Sequence, residues 1–102
     1  MNFVLDENGN PKPCASIVAW GKWFEDIDSR RVCLTDIASC MVSTVFLGVD
    51  HGFGDGPPIL WESMVFEDGS ALEDYTNRHT SKEDAVKGHN EIVSRLEREF
   101  QP

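Results

Sequence analysis

Residues Cys40 to Val49, CMVSTVFLGV, constrain the fold of this chain more than any other stretch. They are rich in β-branched and aromatic residues, the composition of a strand. Side chains alternate across a strand, so Val42, Thr44 and Phe46 share one face while Met41, Val45, Leu47 and Val49 share the other. Both faces are largely apolar. A sheet with two apolar faces needs a cover on each, and the rest of the chain must supply those covers.

Arg31 to Ile37 reads as a partner strand joined to Cys40–Val49 by a tight turn, and Ile59 to Phe66, ILWESMVF, as a third strand. Pro57-Pro58 stand just ahead of that strand, because proline cannot donate to a ladder. Glu67-Asp68-Gly69-Ser70 is a turn, Tyr75 to His79 a short fourth strand at an edge, and Met1 to Leu5 a short strand before the Asn8–Pro13 turn.

The first cover is the C-terminal helix. Thr80-Ser81-Lys82-Glu83 fits a capping box with Thr80 as N-cap. Beyond it Ala85, His89, Ile92, Val93, Leu96 and Phe100 form one stripe at helical spacing. His89 is expected to pack on the sheet with one ring nitrogen hydrogen-bonded, and Gly88 to let the helix approach closely. The second cover is either the Trp-rich segment Ser16 to Asp26, SIVAWGKWFED, or a second subunit. In that segment Ile17, Trp20, Trp23, Phe24 and Ile27 recur at helical spacing behind a Ser16 N-cap. Gly21 weakens a helix there by about 1 kcal/mol against Ala, and a strand is the alternative. The expectation is one α+β domain over residues 1–102. It has a three- to four-stranded, mainly antiparallel sheet, a C-terminal helix on one face and a short N-terminal helix, and it associates as a homodimer.

Charge narrows the partners. With 9 Lys and Arg against 18 Asp and Glu, the formal net charge is -9, which opposes nucleic acid backbones and anionic membranes. No apolar stretch is long enough to span a bilayer. The N-terminus has neither the basic start nor the apolar run of a secretory signal. The expected location is therefore the cytoplasm. Cys14, Cys33 and Cys40 are an odd number without a disulfide pattern. With His51, His79 and His89 they lack zinc-ligand spacing, so neither a metal nor a cofactor is expected.

The run VSTVFLGVDHGFGDGPPILWESMVF, preceded by AWGKWFE and followed by Tyr-Thr, Glu-Asp-Ala and Gly-His, resembles a family of small proteins of tailed phages and bacterial prophages. The similarity extends roughly from Trp20 to His89. Family members often carry glycine in the turn where this chain has Ala38-Ser39, so that turn is built differently here. The resemblance implies a context, not an activity: a viral accessory protein made in a bacterial cytoplasm, of a class that commonly binds a host component.

The candidate site is the loop VDHGFGDGPP with its neighbour Glu62. Gly52-Phe53-Gly54-Asp55-Gly56 matches neither a phosphate loop nor a dinucleotide loop: no Lys follows, and Pro57-Pro58 lead into a strand instead of a helix. As a binding loop it offers Phe53 as an apolar anchor, with Asp55 beside it. Asp50 and His51 are adjacent at a strand end and point apart, which disfavours a catalytic pair. Asp50 is better suited to bonding loop N–H groups. Glu62 shares a face with Leu60, Met64 and Phe66, so its carboxylate needs a partner in Arg31, Arg78 or a backbone N–H. Three functions stay open. The first is stoichiometric, non-enzymatic binding of an unidentified host protein, aided by acidity against a basic surface. The second is sequestration of a small ligand such as a nucleotide signal, which requires Arg30, Arg31 or Arg78 to converge on the glycine loop. The third is hydrolysis by His51 with Asp50 or Glu62.

Overall fold

The computed structural model describes residues 1–52 and 55–100. The elements run β1 (Phe3–Leu5), β2 (Pro11–Pro13), α1 (Ile17–Phe24), α2 (Ile27–Arg30), β3 (Arg31–Ile37), β4 (Cys40–Phe46), β5 (Trp61–Glu67), β6 (Ser70–Ala71), a 3-10 turn (Glu73–Tyr75), β7 (Asn77–His79) and α3 (Lys82–Glu99). Among the described residues the strands make two antiparallel sheets. A small hairpin pairs β1 with β2, and a five-stranded sheet has the order β3-β4-β5-β6 with β7 also on β5. The fold is α+β, as the sequence indicates. β6 was not expected: after the Asp68-Gly69 turn, with φ 50° and 85°, the chain returns for two more residues of ladder, a geometry suited to a tight hairpin.

β4 sits at the centre, and the sheet register sets the faces. Val42 lies opposite Thr35 and Val65, Thr44 opposite Cys33 and Ser63, and Phe46 opposite Trp61. Val42, Thr44, Phe46, Ser63 and Val65 are buried completely. On this face the core has two halves. Ile92 and Leu96 of α3 pack with Cys40, Val42 and Val65. Ala85 packs with Phe46, Leu60 and Trp61, under Phe3, Leu5, Trp23 and Val32. Trp23 meets Phe46 edge-on at 5.7 Å between centroids, so α1 and α3 cover the same face. The Trp-rich helix is therefore not the cover of the second face. That face carries Leu34, Met41, Ser43, Val45, Met64 and Phe66, all half-buried or exposed.

Several boundaries differ from the sequence reading, each for a local reason. α1 forms with the Ser16 hydroxyl accepting from the Ala19 amide at 3.1 Å, but Ile17 is 70% exposed and only Trp20, Trp23 and Phe24 turn inward. Ile27 belongs to the separate turn α2. The N-cap of α3 is Ser81, not Thr80: its hydroxyl accepts from the Asp84 amide at 3.0 Å. β4 ends at Phe46 because Gly48 turns the chain at φ 77°. A side chain at Gly48 would press on the Trp20 ring from 3.3 Å. That close approach lets the Trp20 indole N–H donate to both Gly48 O and Phe3 O, each at 3.1 Å, which ties α1, β1 and the end of β4 together. The Ala38-Ser39 turn closes with Ala38 at φ 53°, a left-handed conformation costing roughly 1–2 kcal/mol without glycine.

Candidate functional site

The loop after β4 is fastened at its base by Asp50. One carboxylate oxygen, Oδ1, accepts from the Gly52 amide at 2.7 Å and from the Ile59 amide at 2.8 Å. The His51 amide donates to Ile59 O at 3.0 Å. Carboxylates that accept backbone N–H bonds favour ionisation, and these two bonds hold the Asp50 carboxyl below its ordinary range. Asp50 thus closes the loop across residues 50–59. The His51 side chain is exposed at the surface of this closure. Among the described residues no hydrogen bond joins its ring to a carboxylate or hydroxyl, so the hydrolase arrangement has no geometric support. Asp55 lies exposed in a bend. Phe53 lies outside the described residues.

Glu62 is on the open face of the sheet, away from the core. Its side chain retains only 14% exposure and accepts from Arg78 Nε at 2.9 Å, the cross-strand neighbour in the β5–β7 register. Leu60 does not share this face. It precedes β5 and is buried in the core beside Phe46. Glu62 therefore stands with Val45, Met64 and Phe66 at the edge of an apolar surface, neutralised by Arg78. The structure groups Asp50, His51 and Asp55 in one loop and sets Glu62 on the sheet beyond it.

A polar cluster inside the core was only partly foreseen. His89, 2% exposed, has both ring nitrogens engaged: Nε2 with Thr35 Oγ1 and Nδ1 with Thr44 Oγ1, each at 2.8 Å. Thr44 Oγ1 also meets Ser63 Oγ at 2.6 Å. Four polar side chains thus satisfy one another between the two halves of the core. Their hydroxyl–imidazole contacts look like nucleophile activation, but Thr44 and Ser63 have no exposed surface, so no substrate reaches them. Burial lowers the His89 pKa and favours the neutral ring. Strand alternation sets Thr44 on one face of β4 with Val42 and Phe46, but its meeting with Thr35, Ser63 and His89 depends on the sheet register and on where α3 packs.

Next to it, Gly88 packs against His79. A Cβ on Gly88 would collide with the His79 ring at Cε1 and Nε2, which explains the glycine inside α3. His79 Nε2 is buried without a hydrogen-bond partner among the described residues, and burial depresses its pKa.

Among the described residues no group of three or more His, Cys, Asp or Glu side chains is placed to hold a metal ion. No helix among the described residues is long and apolar enough to cross a membrane. Compared with known proteins, the chain matches no protein-family model, no curated protein sequence and no solved structure.

Proposed function

We propose that this chain is a small acidic accessory protein of phage type that acts by stoichiometric, non-enzymatic binding to a host protein in the bacterial cytoplasm. The observation that carries this reading is the open face of the five-stranded sheet. Leu34, Met41, Val45, Met64 and Phe66 form an apolar surface there that neither α1 nor α3 covers. Leu34, on the edge strand β3, is 44% exposed. Such a surface rimmed by charged groups, here Glu62–Arg78, is the anatomy of a protein interface. The fastened loop offers His51 and Asp55 as further polar contacts, with Phe53 in the same stretch. The net charge of -9 favours encounter with a basic partner surface. A second copy of the chain is the competing occupant of the same face, because homodimerisation covers it equally well.

Sedimentation and affinity capture separate the two. The tagged wild type and the Met64→Glu variant are run side by side, first as pure protein and then in host lysate. A monomer that retains one host protein at equal stoichiometry, lost on Met64→Glu, supports host binding. A wild-type dimer that Met64→Glu converts to monomer assigns the face to self-association. A wild type that is monomeric and captures nothing overturns the proposal.

A further inference from the structure

A second site stands on the opposite side of the sheet, independent of the open face and of the glycine loop. A cleft of about 370 Å³ opens between the β1–β2 turn, α2 and the start of α3. Arg30, Arg31 and Lys82 line it together with Asp6, Glu7 and Trp23. Three of the chain's nine basic residues therefore converge on one cleft in a protein with twice as many acidic ones.

Arg30 is the unusual member. Its half-buried guanidinium donates through Nε to Phe24 O at 2.9 Å and through Nη1 to Phe46 O at 3.2 Å. It also lies over the Phe24 ring at 3.8 Å. Those contacts fix its position and satisfy part of its donor set. Its Nη2 makes no hydrogen bond and no carboxylate pairs with it among the described residues. A partly desolvated cation without a counter-charge is costly, and an anion in the cleft would offset that cost. Among the described residues Arg31 is held only by the exposed Asp28, at 3.2 Å, a pair too weak to stop it turning to a ligand. Lys82 is exposed at the first position of α3.

The rest of the lining selects among anions. Trp23 is half-buried and offers ring surface, and its edge contact to Phe46 holds it rigid. Asp6 is fixed by accepting from the Asn8 and Asn10 amides, each at 2.9 Å. With Glu7 it supplies acceptors for hydroxyl or amine donors. A bare phosphate would use the cations alone and meet two carboxylates. An aromatic ring, hydroxyl or amine donors, and a phosphate in one molecule would use the whole lining. We propose that this cleft binds a nucleoside phosphate, with the base against Trp23, the phosphate on Arg30, Arg31 and Lys82, and the sugar hydroxyls or base amine on Asp6 and Glu7.

The test is tryptophan fluorescence titration, confirmed by calorimetry, of the wild-type chain with AMP, GMP, CMP and UMP, and separately with adenosine and inorganic phosphate. At least one nucleotide is expected to saturate at unit stoichiometry, about tenfold tighter than adenosine or phosphate alone. Lys82→Ala and Arg31→Ala, both at exposed positions that should leave the melting curve unchanged, are each expected to weaken it about tenfold. Lys87→Ala, on the outer face of α3, is the control and should change nothing. The proposal is overturned if no nucleotide saturates, if phosphate alone binds as tightly, or if Lys87→Ala weakens binding as much as Lys82→Ala.

Discussion

The two faces of the central sheet are built from the same strands and differ in everything that follows. On one face Val42, Thr44, Phe46, Ser63 and Val65 are sealed from water under α3, α1 and the β1–β2 hairpin. On the other, one residue along each strand, Val45, Met64 and Phe66 remain partly open. The covered face holds the hydroxyls of Thr44 and Ser63, joined by His89 of α3, whereas the open face carries Met41, Met64 and Phe66 beside Ser43 and the Glu62–Arg78 pair. Polarity alone therefore does not decide which face is buried. The covered face can hold a polar cluster because every member finds a partner. The open face keeps apolar groups in contact with water, a feature more often kept for binding than for stability.

The largest test of this contrast uses neighbouring residues of β4. Phe46→Ala should lower unfolding free energy by about 3–5 kcal/mol through the cavity it leaves. Val45→Ala, on the other face, should cost roughly 1 kcal/mol or less in dilute protein, read by chemical denaturation of both. An equal loss at both positions would mean the open face is covered in solution. Next in size is the polar cluster. Thr44→Val keeps the shape but strips a partner from His89 Nδ1 and from Ser63, at a cost of about 1–3 kcal/mol. Ser43→Val on the open face should stay within about 0.5 kcal/mol.

A smaller effect tests how closely α3 lies on the sheet. Gly88→Ala brings a Cβ against the His79 ring, and its overpacking cost of about 1–3 kcal/mol is partly offset by the better helix propensity of Ala, worth about 1 kcal/mol. Combining it with His79→Ala should remove the clash. A double-mutant cycle in melting experiments should then give a favourable coupling.

The smallest effect is on pH dependence. Burial depresses the folded-state pKa of both His79 and His89 below the ordinary 6.5, so the unfolded chain takes up protons first. Their contribution is complete above about pH 6.5 and is lost as pH falls through and below it. Melting temperature should decline between about pH 7 and 5, less steeply in His79→Gln. Asp26 and Asp50, both held below their ordinary 3.8 by hydrogen bonds, add a second decline only near and below pH 4. A flat profile from pH 7 to 5 would show that neither histidine is kept neutral by the covered face.

The strands and the last helix were legible because their signals are local. Period-two alternation in β4 and the stripe from Ala85 to Leu96 both follow from backbone geometry. The limits of that reading appear at particular residues. Ser16 caps α1 as its sequence suggests, yet Ile17 points outward, because Trp20 is drawn in by carbonyls on two distant segments. Asp50 fits its loop-closing role, since an Asp beside glycines bonds nearby amides, but its second partner, Ile59, lies nine residues on. Glu62 was short of a partner in sequence, and only the β5–β7 register chose Arg78 over Arg31.

The sequence by itself therefore determined the class of the fold, the central two-faced strand, the helix that covers it and the net charge of -9. Those properties reside in composition and in spacings of a few residues. Tertiary structure alone decided that α1 shares the face of α3, that Thr35, Thr44, Ser63 and His89 meet, and that Arg30, Arg31, Lys82 and Trp23 border one cleft. Each joins residues tens of positions apart, and their proximity depends on how whole elements pack, a cooperative outcome that no local pattern encodes.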